Sequence, residues 1–136
     1  MVTERAVSLA PSATATVAAL RASSALVGVT HAGDRADAGS EPSVVGGWPN
    51  PDLDAVERLE PTVVLTCDPL QRETADALRD RGLEVVHAEP TRLTDVFEYV
   101  ADVGSAVGRE DAGERVASDL RARVGRVRAA GPDDPA

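Results

Sequence analysis

The side chains in this chain with the chemistry to act on or grip a small molecule are few and well separated. Cys67, its only cysteine, closes the apolar run Val63–Thr66. A thiol at a strand end can serve as a nucleophile only beside a base, and the sequence sets none next to it. The other reading of Cys67 is a small buried residue at the rim of a site. His87 ends a second apolar run, with Glu89 two residues on. This is either an acid–base pair or a strand-end histidine bonded to backbone. His31, Asp34 and Asp37 share one polar segment, but their spacing is not that of a zinc or calcium loop, and no metal is expected. Trp48, the only tryptophan, follows Gly46-Gly47. It suits either core packing or the covering of a flat apolar ligand. Phosphate-loop and dinucleotide glycine patterns are absent, and Ser8 and Ser12 lack a nucleophile-elbow context. No catalytic residue is expected.

These residues need elements to position them. Apolar runs at Ala6–Leu9, Leu26–Val29, Val44–Val45, Val63–Thr66 and Glu84–His87 read as strands. Val63–Thr66, apolar without alternation, suits a central strand buried on both faces. Helical patterns fall between them. Ser12 stands where an N-cap would, before Ala13, Val17 and Leu20, so the turn after the first strand aims backbone N–H groups outward. Asn50-Pro51 marks a second helix start, with Leu53, Val56 and Leu59 on its buried face. Leu70–Arg81 is a third helix, closed by Gly82. Thr91–Val107 is a fourth, its stripe formed by Leu93, Val96, Phe97, Val100, Gly104 and Val107. Arg109–Ala130 is a long helix with a thin apolar stripe of Val116, Leu120, Val124 and Val127. It opens acidic (Glu110, Asp111, Glu114) and closes basic (Arg121, Arg123, Arg126, Arg128), which complements its dipole. Strand and helix alternate, so the predicted fold is α/β: a Rossmann-like three-layer lobe on a mainly parallel sheet, followed by one long backbone helix. The expected divisions are a lobe over 1–108, a connecting helix over 109–130 and a disordered tail over 131–136.

Composition narrows the function. The net charge is -9 over 136 residues, and all 14 basic residues are arginine. Such an acidic chain is a poor partner for nucleic acid, whose phosphates need a cationic footprint, and the acidic excess would suit high salt. With 43% apolar residues the chain can bury a core. A single cysteine rules out an internal disulfide. No apolar run reaches membrane-spanning length. The opening Met-Val-Thr-Glu-Arg lacks the basic and apolar regions of a secretory leader, so as written the chain is expected to stay in the cytoplasm.

Taken together, several motifs resemble one family. Arg5-Ala-Val-Ser-Leu-Ala-Pro-Ser-Ala-Thr14 is similar to the opening of the periplasmic binding proteins that serve cobalamin and iron-siderophore ABC importers. Val27-Gly-Val-Thr-His31 with Asp34 resembles their second strand and loop, and Val45-Gly-Gly-Trp48 with Asn50-Pro-Asp-Leu-Asp54 their ligand loop and helix start. Leu59-Glu-Pro-Thr-Val-Val-Leu65 and Gly82-Leu-Glu-Val-Val86 resemble the next two strand entries. The order and spacing agree from Arg5 to about Val127.

The resemblance implies two α/β lobes joined by a long rigid helix, with ligand held between them; this chain corresponds to the N-terminal lobe and that helix. It implies a substrate-binding protein rather than an enzyme, with cobalamin or another corrinoid, or a ferric chelate, as transported ligand and no covalent cofactor. Ser12 and Ala13 match the family's ligand-facing turn, Trp48 an aromatic that stacks on the corrin ring, and Cys67 and Asp68 the strand-end contacts. Ala32 and Cys67 stand where the family often carries aromatics. Asp54 matches the acidic residue that docks onto arginines of an ABC permease, and helical spacing aims it into water. The Arg109–Ala130 stripe is expected to seek a second neighbour, including another copy of the chain. A second possibility from another class is a cytosolic corrinoid-handling protein or enzyme on the same scaffold, using Cys67 or His87.

Overall fold

The computed structural model describes residues 4–30, 43–47 and 50–130, with side chains through Arg126. Strand β1 (Ala6–Ser8) leads into helix α1 (Pro11–Ala19), and β2 (Leu26–Val29) follows a short 3₁₀ turn. Next come β3 (Ser43–Val44), α2 (Leu53–Arg58), β4 (Val63–Cys67), a 3₁₀ turn at Pro69–Gln71, and α3 (Arg72–Asp80). The chain then forms β5 (Val85–Ala88), α4 (Leu93–Ala106) and α5 (Glu110–Ala130). The five strands make one parallel sheet in the order β3-β2-β1-β4-β5. This is the α/β architecture expected from the alternation of periods.

Side chains leaving the sheet alternately build two cores. On one face Ala6, Val63, Leu65 and Cys67 meet α1, α4 and α5 through Val17, Phe97, Val100, Val103 and Ala117. On the other, Val7, Leu9, Val64 and Val85 meet α2 and α3 through Val56, Ala75 and Leu78. All five residues of β4 are buried, as a central strand covered on both sides requires.

Several boundaries differ from expectation, for local reasons. Strands β4 and β5 each run one residue further, to Cys67 and Ala88, where Cys67 pairs with Ala88. Helix α1 begins two residues earlier than a Ser12 cap implies: Ala10 is the N-cap, Pro11 takes the first helical position, and no side chain caps the start. Helix α2 is capped by Asp52, whose carboxylate accepts from the Asp54 and Ala55 N–H groups at 3.1 and 3.2 Å. Pro51, expected inside that helix, instead bridges antiparallel to Gly46. Leu70–Arg81 divides into the 3₁₀ turn and α3, and Gly82 closes it at φ +86°, as expected of a C′ glycine.

In α4 the stripe is rotated. Leu93 and Val96 stay exposed, while Tyr99 and Val103 turn inward. Tyr99 is tolerated inside because its hydroxyl donates to the Thr66 carbonyl at 3.0 Å. Helices α4 and α5 cross so closely that a Cβ on Gly104 would lie 2.7 Å from the Gly113 Cα. The stripe of α5 is accordingly occupied: Ala117 is buried, and Val116, Leu120 and Val124 pack partly against the core. Among the described residues, no helix is long and apolar enough to cross a membrane. The expected tail at 131–136 lies outside the described residues.

Candidate ligand-binding site

In an open parallel sheet, ligands settle beyond the carboxyl ends of the strands, at the point where strand order reverses. Here the chain runs outward from β1 through β2 to β3, then returns to the other side of β1 as β4. The reversal therefore lies between the carboxyl ends of β1 and β4. The loop that opens α1 meets the end of β4 there.

The gap between these strands is held by one buried side chain, Gln71, which the sequence did not single out. The ladder ends with the Leu9 N–H donating to the Leu65 carbonyl at 2.9 Å. A continuing ladder would next join the Cys67 N–H to the Leu9 carbonyl. Instead the Gln71 amide is inserted between them. Its Nε2 donates to the Leu9 carbonyl at 2.6 Å, and its Oε1 accepts from the Cys67 N–H at 3.1 Å. The strands splay without leaving buried backbone groups unpaired. A glutamine just after a buried strand, at the start of a helical pattern, is the only hint in the sequence.

Cys67 and Ser12 meet at this opening. Burial pushes the Cys67 thiol up, and the Ser12 hydroxyl beside it pulls the other way; the Asp68 carboxylate adds to the rise. A raised thiol is the reverse of the activated nucleophile an enzyme would need. Asp68 is exposed and held at φ +85°, ψ 146°, a backbone region that disfavours side chains, and its carboxylate accepts from the Leu70 N–H at 3.1 Å. Ser12 is exposed, whereas the Ala13 side chain is fully buried in the core, so only its backbone can face the rim. Ala32, Trp48, His31, Asp34 and Asp37 lie outside the described residues.

His87 stands further along the same end of the sheet. Its Nδ1 pairs with the Thr66 hydroxyl at 2.6 Å and its Nε2 with Glu89 at 3.0 Å. Glu89 also takes a two-pronged contact from Arg72, at 2.7 and 2.5 Å. Arg72, then His87, draws the Glu89 carboxyl down to about 2. The pairing with Glu89 is present, and neither ring nitrogen bonds to backbone as the other expectation for His87 had it; Thr66 is fully buried and both nitrogens are engaged, so the imidazole is a link in a hydrogen-bonded chain.

Asp54 is exposed in the first turn of α2, as its spacing implies, but it is not free. Arg81 reaches it at 2.9 Å and Glu57 at 2.9 Å, and holds the Asp54 carboxyl below its ordinary range.

An open parallel sheet with a side-chain-lined reversal point is the setting in which α/β folds bind small molecules. A sequence model of the periplasmic binding proteins matches residues 7–135, and the chain belongs to this family. A cobalamin-binding protein of Halobacterium salinarum is 33% identical over 133 residues, covering 96% of this chain and 36% of that protein. The periplasmic vitamin B12 binding protein BtuF of Vibrio cholerae superposes with a TM-score of 0.78 at 24% identity, over 93% of this chain and 50% of BtuF. The periplasmic heme-binding protein RhuT of Roseiflexus sp. RS-1 gives 0.73 at 25% identity, over 94% and 50%. The chain thus spans about a third of the curated relative and half of each solved structure. These relatives are binding proteins rather than enzymes.

Proposed function

We propose that this chain is a ligand-facing lobe of an importer-type substrate-binding protein, and that its ligand is a flat, metal-centred molecule: a corrinoid first, a ferric chelate such as heme or a siderophore complex second. The observation that carries the reading is the opened junction between β1 and β4, where Ser12, Cys67 and Asp68 meet over the Gln71 wedge. Family membership and the cobalamin-binding relative support the choice of ligand. Trp48 would cover one face of the ligand, adding about 1.5–3 kcal/mol for a large side chain taken out of water. One lobe supplies one wall of a cleft, so a modest affinity is expected. Docking onto an ABC permease through Asp54 belongs to the same reading, with Arg81 as the group a permease arginine would displace.

Titration with cobalamin, with hemin and with a ferric siderophore, followed by Trp48 fluorescence and by calorimetry, tests this. Saturable quenching accompanied by heat with one of the three is the expected result. Neither signal with any of them, up to about 1 mM, overturns the reading. The enzyme alternative gains no support from the site, since the thiol is raised and the imidazole is fully engaged.

A further inference from the structure

We propose that the open side of the α4–α5 pair is a self-association surface on which a second copy of this chain lays its own α5 in the antiparallel sense. Two observations carry this. The first is a groove of ≈610 Å³ between the start of α4 and the end of α5, floored by Leu93, Phe97 and Val124 and rimmed by Arg92 and Arg121. Leu93 is 45% exposed, an unusual setting for a leucine beside a buried ring, and Arg121 lies 5.2 Å from the Phe97 centroid. The second is the charge order along α5. Glu110 and Glu114 sit on the flank that continues to Arg121 at helical spacing, and among the described residues no ion pair forms anywhere along this helix.

One helix therefore carries, on one flank, an acidic half and a basic, apolar-floored half, both unneutralised. A twofold axis near the middle of α5 is the arrangement that satisfies both at once. It sets Glu110 and Glu114 of each copy against the Arg92/Arg121 rim of the other, with the aliphatic stems of the charged residues lying over the groove. A parallel pairing would oppose like charges. A helix of 21 residues runs about 30 Å, and a contact steered by exposed rim charges is weakened by salt.

Sedimentation velocity of the full 136-residue chain between about 10 and 300 µM reads the outcome directly. The expected result is concentration-dependent growth from 14.1 kDa to twice that mass, weakened by added salt. Arg121→Glu and Glu114→Arg should each weaken the dimer by about tenfold or more, and the double reversal should restore it. Leu93→Ser, at an exposed position, should weaken it without lowering thermal stability. Should Arg121→Glu disturb folding through its ring contact, Glu114→Arg, at an exposed position with no hydrogen bond or ion pair among the described residues, gives the same reading. A monomer throughout the range overturns the proposal. So does a dimer indifferent to the reversals, because a different face would then be in use.

Discussion

Removing the Gln71 amide should unlock the junction on which the candidate binding site depends. Gln71 is fully buried, and at least two backbone groups rely on it: the Leu9 carbonyl and the Cys67 N–H. In Gln71→Ala both lose their partner inside the protein, at about 1–3 kcal/mol for each unsatisfied group. The cavity left by the missing side-chain atoms adds to this. A total near 3–5 kcal/mol is expected, against a whole-domain stability of about 5–15 kcal/mol. Urea unfolding followed by far-ultraviolet circular dichroism measures it, with the slope m as a check that the unfolded state has not changed. Gln71→Glu sharpens the test. A protonated carboxyl can still donate to Leu9 and accept from Cys67, whereas a carboxylate presents an anion to the Leu9 carbonyl. The folded-state pKa of the new carboxyl should therefore rise above the unfolded value of about 4.3. A raised pKa gives stability that is present below the unfolded value and lost as pH climbs through the folded one. The variant should be near wild type in mild acid and markedly weaker at neutral pH. A loss below about 1 kcal/mol for Gln71→Ala at unchanged m, or a Gln71→Glu variant that tracks wild type across pH, would refute the wedge.

Three further outcomes follow from the same geometry. Gly104→Ala drives a Cβ to 2.7 Å from the Gly113 Cα and 2.9 Å from the Arg109 carbonyl, both backbone, so α4 and α5 must part; a loss of about 1–3 kcal/mol is expected by thermal melting. Asp68→Gly should be more stable than Asp68→Ala by about 1–2 kcal/mol, because only glycine adopts φ +85° freely, and equal stabilities would remove the strain at this rim. Glu89 contributes stability that is fully present above its unfolded value of 4.5 and lost as pH falls toward about 2, so the Tm gap between wild type and Glu89→Gln should close over that window; a gap that persists in strong acid contradicts the pairing with Arg72 and His87.

Much of the architecture could be read before any coordinates, because strand and helix periods differ and this chain keeps them clean. The burial of β4 on both faces followed from an apolar run without alternation. The closing of α3 at Gly82 followed from the conformational freedom of glycine. What misled were local signals with two uses. Ser12 and Asn50 are good caps, yet Pro11 and Asp52 compete for the same turns, and the competition is decided by which residue the incoming strand delivers to the helix axis. Tyr99 breaks the expected stripe because a buried hydroxyl is tolerated once it finds the Thr66 carbonyl, a partner 33 positions away. Asp54 reads as a lone exposed acid because Arg81 approaches it only after α2 and α3 are both seated on the same face of the sheet.

The amino-acid order by itself determined the α/β class, the central place of β4, the acidic surface and the gathering of Cys67 and Asp68 at a strand end, since each depends on residue type and on spacing within a few turns of chain. Tertiary structure alone decided that β1 and β4 are neighbours, that Gln71 stands between them, and that the ladder opens there. Those facts depend on the order of strands across the sheet, and hydrogen bonds between residues some sixty positions apart form only when the whole sheet is in place.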